Sequence, residues 1–247
     1  MRLILIRHGD PDYVHDSLTE TGLLEADLLA DRMEKEKIDE IYVSPKGRAK
    51  KTAEPTLKRL NRAALELPWL REFEARIFRP DGPKDTRVIE WDWLPKEWTE
   101  YEDFYDYDKW YNHPVMTEAG ASSEYKWVIG EFEKFLKDHG YERENRYFKV
   151  NKANNDTIVF FCHYGLSIVL ISYLLHISPM ILWHGFAAAP TSVTTIYTEE
   201  REKGYASFRI SAYGDVSHLY AADRKPSFSA RFCECYDNEN ERHGWKI

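Results

Sequence analysis

Short unbroken apolar runs alternate along the chain with stretches where apolar residues recur every three or four positions. The first pattern reads as buried strand and the second as amphipathic helix. Residues 3–6, 41–43 and Thr157–Cys162 are runs of the first kind, and 64–67 is a shorter one. Residues 191–198 and 205–211 read as two further strands. Helical spacing runs from Thr19, a suitable N-cap, to about Lys35, with Leu23, Ala26, Ala30 and Met33 as the expected buried stripe. Ser44 is expected to cap a second helix that has Pro45 in its first turn and fades near Asn61. Residues 118–139 read as a third helix, with Tyr125, Val128, Phe132 and Phe135 on one face, and 166–175 as a fourth. This alternation predicts an α/β fold: a three-layer sandwich with a mostly parallel central sheet and helices on both faces.

Two stretches interrupt the pattern. Residues 77–117 mix acids with Trp91, Trp93, Trp98, Trp110, Tyr101, Tyr105, Tyr107 and Tyr111, and Pro80, Pro83, Pro95 and Pro114 punctuate them. Linkers lack such aromatics, so the segment reads as an aromatic-rich lid inserted into a single domain spanning residues 1–247. Residues 141–156 read as a polar loop. The tail from about residue 223 shows no periodicity and is expected to be irregular.

Composition narrows the function. No apolar run reaches the length of a membrane span, and the opening run is too short for a secretory h-region, so a cytoplasmic protein without a membrane partner is expected. The 34 basic against 42 acidic residues give a net charge of -8. That disfavours nucleic-acid binding, which needs a basic surface. A chain of this charge that acts on anions must gather its cations locally. Cys162 reads as a buried free thiol, and Cys233-Glu234-Cys235 offers two ligands where a zinc site needs four. A reducing compartment, no metal and no cofactor are expected. If the aromatics of residues 77–117 lie exposed, they favour a homodimer.

The candidate chemistry lies where the strands end. The first run stops at Arg7-His8-Gly9, and in parallel α/β sheets the carboxyl ends of the strands carry the ligand. Arg48 falls in the first turn of the helix after the second strand, where it opposes the helix dipole and calls for an anionic partner. Glu72 follows the third run, and His163 follows Thr157–Cys162. Two arginine forks, helix N-termini and the His163 ring suit the oxygens of a phosphoryl group. His8 can attack phosphorus, and Glu72 can protonate the leaving alcohol and then deprotonate water. Glu74 competes for the acid role. His218 reads as a supporting residue, and the cluster Asp10, Asp12, His15, Asp16 as a solvated loop.

These residues resemble the histidine phosphatase superfamily, the phosphoglycerate mutase-like proteins. Arg7-His8-Gly9 is similar to its signature, and Ser44-Pro45-x-x-Arg48-Ala49-x-x-Thr52-Ala53 to the segment with its second phosphate arginine. Leu70-Arg71-Glu72 is similar to the acid/base segment of the small-phosphatase branch, and Cys162-His163-Tyr164-Gly165 to that of the second histidine. The resemblance implies a phosphatase that hydrolyses a small-molecule phosphate ester through a phosphohistidine on His8, without metal. His8, Glu72 and His163 would then be catalytic, and Arg7, Arg48, His163 and Tyr164 would bind phosphate. Tyr164 stands where a small residue is common, giving a bulkier pocket wall. Asp10, Pro11, Asp12 and Tyr13 also depart from the usual pattern after Arg-His-Gly. The charged segment typical of glycolytic mutases is not recognisable, which favours hydrolysis. A phosphoglycerate-type mutase and a non-catalytic phospho-ligand sensor are the alternatives.

Overall fold

The computed structural model describes residues 1–80, 82, 86–227, 234–235 and 237–238. Pro83 and Cys233, and with Cys233 the Cys-Glu-Cys pair, lie outside the described residues. Eight strands form one sheet: β1 (Arg2–Arg7), β2 (Glu40–Val43), β3 (Leu65–Glu66), β4 (Tyr141–Glu144), β5 (Tyr147–Val150), β6 (Thr157–Cys162), β7 (Val193–Glu202) and β8 (Tyr205–Asp215). Their spatial order is β3-β2-β6-β1-β7-β8-β5-β4. The first four run parallel, and the sheet continues antiparallel from β1 onward. It is thus a mixed sheet with a parallel half. Within that half Arg7 pairs with Cys162, so β1 and β6 end level and deliver the next residue of each, His8 and His163, to the same edge.

The unbroken apolar runs follow from burial on both faces, since successive side chains of a strand point to opposite sides. Ile4, Ile6, Val159 and Phe161 pack with Leu29 and Met33 of α1 (Glu20–Met33) and Ala49 and Ala53 of α2 (Gly47–Leu60). Leu3, Leu5, Ile158 and Phe160 belong to the larger core of the other face, with α3 (Ala121–Asp138), α4 (Tyr164–Leu175) and α5 (Pro179–Gly185). Helices therefore cover both faces. α4 is buried from Tyr164 to Leu174, which explains why its sequence is apolar all round.

Residues 77–117 fold as a two-strand ladder (Ile77–Phe78 with Arg87–Val88) and several single helical turns. Pro95 and Pro114 each open one of these turns, where a missing N–H costs nothing. Trp93, Phe104 and Trp110 are almost fully buried and join the core beside α3 and α5. These rings are core packing, while Tyr101 and Tyr105 of the same segment are exposed.

Several expectations need correction. Residues 141–156 begin with the β4–β5 hairpin, which extends the sheet because Tyr141 and Phe148 are buried. α2 starts at Gly47 with Lys46 as its N-cap, since Ser44 has another partner. α4 starts at Tyr164, two residues early. The helix expected over 118–139 is broken at Gly120, whose φ of 80° separates Pro114–Glu118 from α3. Leu23 is 49% exposed. Gly22 takes the inner position instead, because a Cβ there would lie 2.3 Å from the Asp10 carbonyl oxygen.

Candidate active site

His8, at the tip of β1, is anchored through its backbone: its N–H donates to the Cys162 carbonyl (3.0 Å) and its carbonyl accepts from Thr191 (3.2 Å). Its Nδ1–H donates to the Gly9 carbonyl (2.8 Å). That bond fixes the tautomer and leaves the Nε2 lone pair available. Burial, with Arg7 and Arg48 nearby, holds the ring's pKa well below its ordinary value, so His8 is neutral. The next residue's N–H is held by Thr52 Oγ1 (2.9 Å). One residue further, the Asp10 N–H donates to Glu25 Oε2 (2.9 Å), while Glu25 Oε1 accepts from the Ser227 N–H (3.1 Å). One carboxylate on α1 thus pins the loop after His8 to a segment far along the chain.

His163 stands at the end of β6 with its ring centroid 5.2 Å from that of His8. Ser44 Oγ accepts the Lys46 N–H (3.2 Å) and shares a hydrogen bond with His163 Nε2 (2.7 Å). His163 Nδ1 is buried and has no partner in the protein. Burial, then His8 and Arg48, keep the ring neutral by pulling its pKa far down.

Two guanidiniums flank the rings. Arg7 Nη1 donates to the Ala188 carbonyl (2.6 Å); burial lowers its pKa, opposed by Tyr13, Glu72 and Tyr164. Arg48, the second residue of α2, donates through Nη1 to Asp16 Oδ1 (2.7 Å), and Asp16 Oδ2 accepts the Gly47 N–H (2.7 Å). Asp16 is thus the anionic partner that a first-turn arginine needs. It also serves the helix N-terminus, where a carboxylate is favoured. Arg48 Nε is buried without a partner.

Glu72 completes the site. Its Oε1 accepts from the Phe73 N–H (3.0 Å) and from the Leu166 N–H in the first turn of α4 (2.9 Å). These bonds and both arginines favour the anion, yet burial outweighs them and raises the pKa to about 7. A Cβ built on Gly165 would lie 2.9 Å from Glu72 Oε1 and 2.2 Å from the Trp91 ring. Glycine here lets both the Trp91 ring and the carboxyl crowd this position.

Arg7, His8, Arg48, Glu72 and His163 are each less than a tenth exposed. Burying so many ionisable groups is costly unless they act on one another or on a ligand. A surface groove of about 940 Å³ along α2 is separate: His15, Lys50, Lys58 and Arg62 line it, and it meets the site only at Asp16 and Gly47.

Residues 3–122 match the family model of the histidine phosphatase superfamily, branch 1. Over these 120 of its 247 residues the chain is similar to the histidine phosphatase superfamily. No curated protein matches it. Its fold is similar to a phosphoserine phosphatase from Entamoeba histolytica in complex with phosphoserine (20% identity, 88% of this chain and 98% of that one, TM-score 0.55). It is also similar to the mycobacterial glucosyl-3-phosphoglycerate phosphatase with VO3 (19% identity, 86% and 98% covered, TM-score 0.52). A third is the alpha-ribazole phosphatase from Shigella flexneri (21% identity, 85% and 95% covered, TM-score 0.50).

In this histidine phosphatase fold the five residues expected to share a site do so. Tyr164 is close, but its hydroxyl donates to the Trp183 carbonyl (2.6 Å), with the Phe186 carbonyl 2.8 Å away. Glu74 instead pairs with Lys46 (3.2 Å) at the surface. His218 is buried with Nε2 at 3.1 Å from Thr191 Oγ1, supporting the residue that holds the His8 carbonyl. Among the described residues no group of three or more His, Cys, Asp and Glu side chains is arranged to hold a metal. No helix among them is long and apolar enough to cross a membrane. Sequence reasoning missed Ser44 as the partner of His163, and Trp91 as the ring that crowds Gly165 beside Glu72. The need of Arg48 for an anion was the one signal pointing to Asp16.

Proposed function

We propose that the protein is a phosphatase that hydrolyses phosphate monoesters through a phosphohistidine on His8, without metal. What carries this reading is the pair of buried unpaired nitrogens beside the neutral His8 ring, Arg48 Nε and His163 Nδ1, with the His163 proton taken to lie on Nδ1. Unpaired buried donors are rare and destabilising, and a ligand with several acceptor oxygens satisfies them together. In the first step His8 Nε2 forms a bond to phosphorus, the P–O bond to the leaving alcohol breaks, and Glu72 gives its proton to the departing oxygen. In the second step water attacks phosphorus, Glu72 takes the water's proton, and the P–N bond breaks to release phosphate. Arg7, Arg48 and His163 match the charge on the equatorial oxygens. A carboxyl that titrates near 7 serves both steps.

The test is phosphate release from a panel of monoesters, with labelled enzyme trapped in alkaline detergent, since phosphohistidine survives base. Wild-type protein should release phosphate and retain label; His8→Ala should do neither. A folded wild-type protein inactive on every ester overturns the reading. Phosphate exchange between positions of a substrate, stimulated by a bisphosphate, would establish the mutase alternative instead.

A further inference from the structure

Beyond the phosphate cradle, the side of the site that faces Glu72 is walled by aromatic rings. Trp91 lies against Gly165 beside Glu72 Oε1, edge-on to Tyr164 with ring centroids 5.6 Å apart. Tyr213 packs edge-on against Phe186 at 4.7 Å, and Phe186 sits two residues before Ala188, whose carbonyl holds Arg7. Burial pushes the phenols of Tyr164 and Tyr213 far up, against the pull of the same Arg7 guanidinium. Both rings are therefore close to that cation. Tyr13 lies 5.5 Å from the Arg48 guanidinium carbon. Phe186 is 43% exposed and Tyr13 65% exposed, so the collar opens to solvent at these two residues. The Tyr213 hydroxyl is buried and unpartnered.

The charges of this wall are equally informative. Of the basic side chains near this wall, Arg71 and Arg79 are engaged, while Arg76 acts on Asp92 through its charge. Arg71 pairs with Glu124 (2.8 Å) and faces the Trp127 ring, and Arg79 donates to the Asp92 carbonyl (3.0 Å). The acids Glu90 and Asp92 flank Trp91 in sequence, and Glu90 is fully buried. A flat apolar group would find ring faces and edges at this wall.

We propose that the preferred substrate is the phosphate ester of an alcohol bearing an aromatic ring, the ring seated among Trp91, Tyr164, Phe186 and Tyr213. This rests on the phosphatase reading only for the word ester; the collar itself is a binding site for the organic part of a phosphorylated ligand. It sets the protein apart from its structural neighbours named for phosphoserine and for glucosyl-3-phosphoglycerate.

Calorimetry with two non-hydrolysable phosphonates tests it without requiring turnover. 2-Phenylethylphosphonate should bind about tenfold or more tightly than 2-carboxyethylphosphonate, in keeping with the contribution of one buried aromatic contact and its packing. Phe186→Ala, at an exposed position, should reduce that ratio several-fold, and Trp91→Ala should reduce it further. Equal or tighter binding of the carboxylate compound, no binding of either, or a ratio unmoved by both substitutions overturns the proposal. Hydrolysis of 2-phenylethyl phosphate is measured alongside. Selective phosphonate binding with no ester turned over leaves the collar standing and removes the phosphatase reading. Turnover with a preference for 3-phosphoglycerate does the reverse.

Discussion

Gly165→Ala tests whether the contact between Trp91 and Gly165 sets the proton affinity of the acid. The new methyl would sit 2.2 and 2.3 Å from two atoms of the Trp91 ring and 2.9 Å from Glu72 Oε1. A rigid indole cannot yield at one atom, so the whole ring must withdraw and admit water. At the second residue of α4 alanine is favoured over glycine by at most roughly 1 kcal/mol, while overpacking costs roughly 1–3 kcal/mol. A net loss of about 0–2 kcal/mol leaves a protein of ordinary stability folded. The effect on the carboxyl is larger. Near 7, Glu72 is about nine-tenths protonated at pH 6; at the ordinary value of 4.5 about 3% would be. Full rehydration thus costs about 30-fold at pH 6 in any step that needs the proton. The assay is the ratio of kcat/KM for an alkyl phosphate to that for 4-nitrophenyl phosphate, followed from pH 4.5 to 8.5. Nitrophenolate leaves without protonation, so the ratio cancels substrate ionisation and changes in phosphate affinity. In wild type the ratio should fall as pH rises through about 7, where Glu72 loses its proton. In Gly165→Ala the fall should move toward 4.5. A folded variant whose ratio still breaks near 7 would refute the claim that Trp91 keeps the carboxyl dry.

Other substitutions address the remaining contacts. Glu72→Gln should lose about 10²-fold or more on alkyl esters and much less on 4-nitrophenyl phosphate, as general acid catalysis requires; equal losses on both would deny Glu72 the acid role. Asp16→Ala removes an acceptor at the N-terminus of α2 and the tie on Arg48, so thermal unfolding should show a loss of about 1–2 kcal/mol and KM should rise. An unchanged melting curve would count against it. Ser44→Ala takes from His163 Nε2 its hydrogen-bond partner, so the ring is held less firmly. Inorganic phosphate should then inhibit several-fold less well, read as a raised inhibition constant. Turnover should survive a chelator, because guanidiniums supply the positive charge.

What could be read from the sequence depended on how far apart the cooperating residues lie. β1 and β6 were legible because burial on both faces leaves no polar interruption, so Arg7-His8 and His163 stood out as the points where the runs stop. Arg48 was legible through the electrostatics of a helix's first turn. The β4–β5 hairpin was not, because Glu142, Glu144 and Lys149 point outward and the charged Arg143 shares the inward face with the two rings that define it, Tyr141 and Phe148. The start of α2 was misplaced because Ser44 favours a cap by local chemistry, while its hydroxyl is claimed by His163, 119 residues away. Trp91 was visible as an aromatic, but its role depends on a glycine in another element, and no local pattern encodes that contact.

The shared carboxylate of Glu25 bears on how the protein comes into being. One of its oxygens holds the loop that follows His8, and the other waits for the backbone of Ser227, 202 residues later. During synthesis the nucleophile's loop emerges early, yet its anchor lacks a partner until nearly all the described chain has left the ribosome. Nascent chains halted before that point would carry every reacting group and still hold a half-satisfied acid under the loop. The clasp gives the maturing polypeptide a late step that trims the mobility of its first-made catalytic turn.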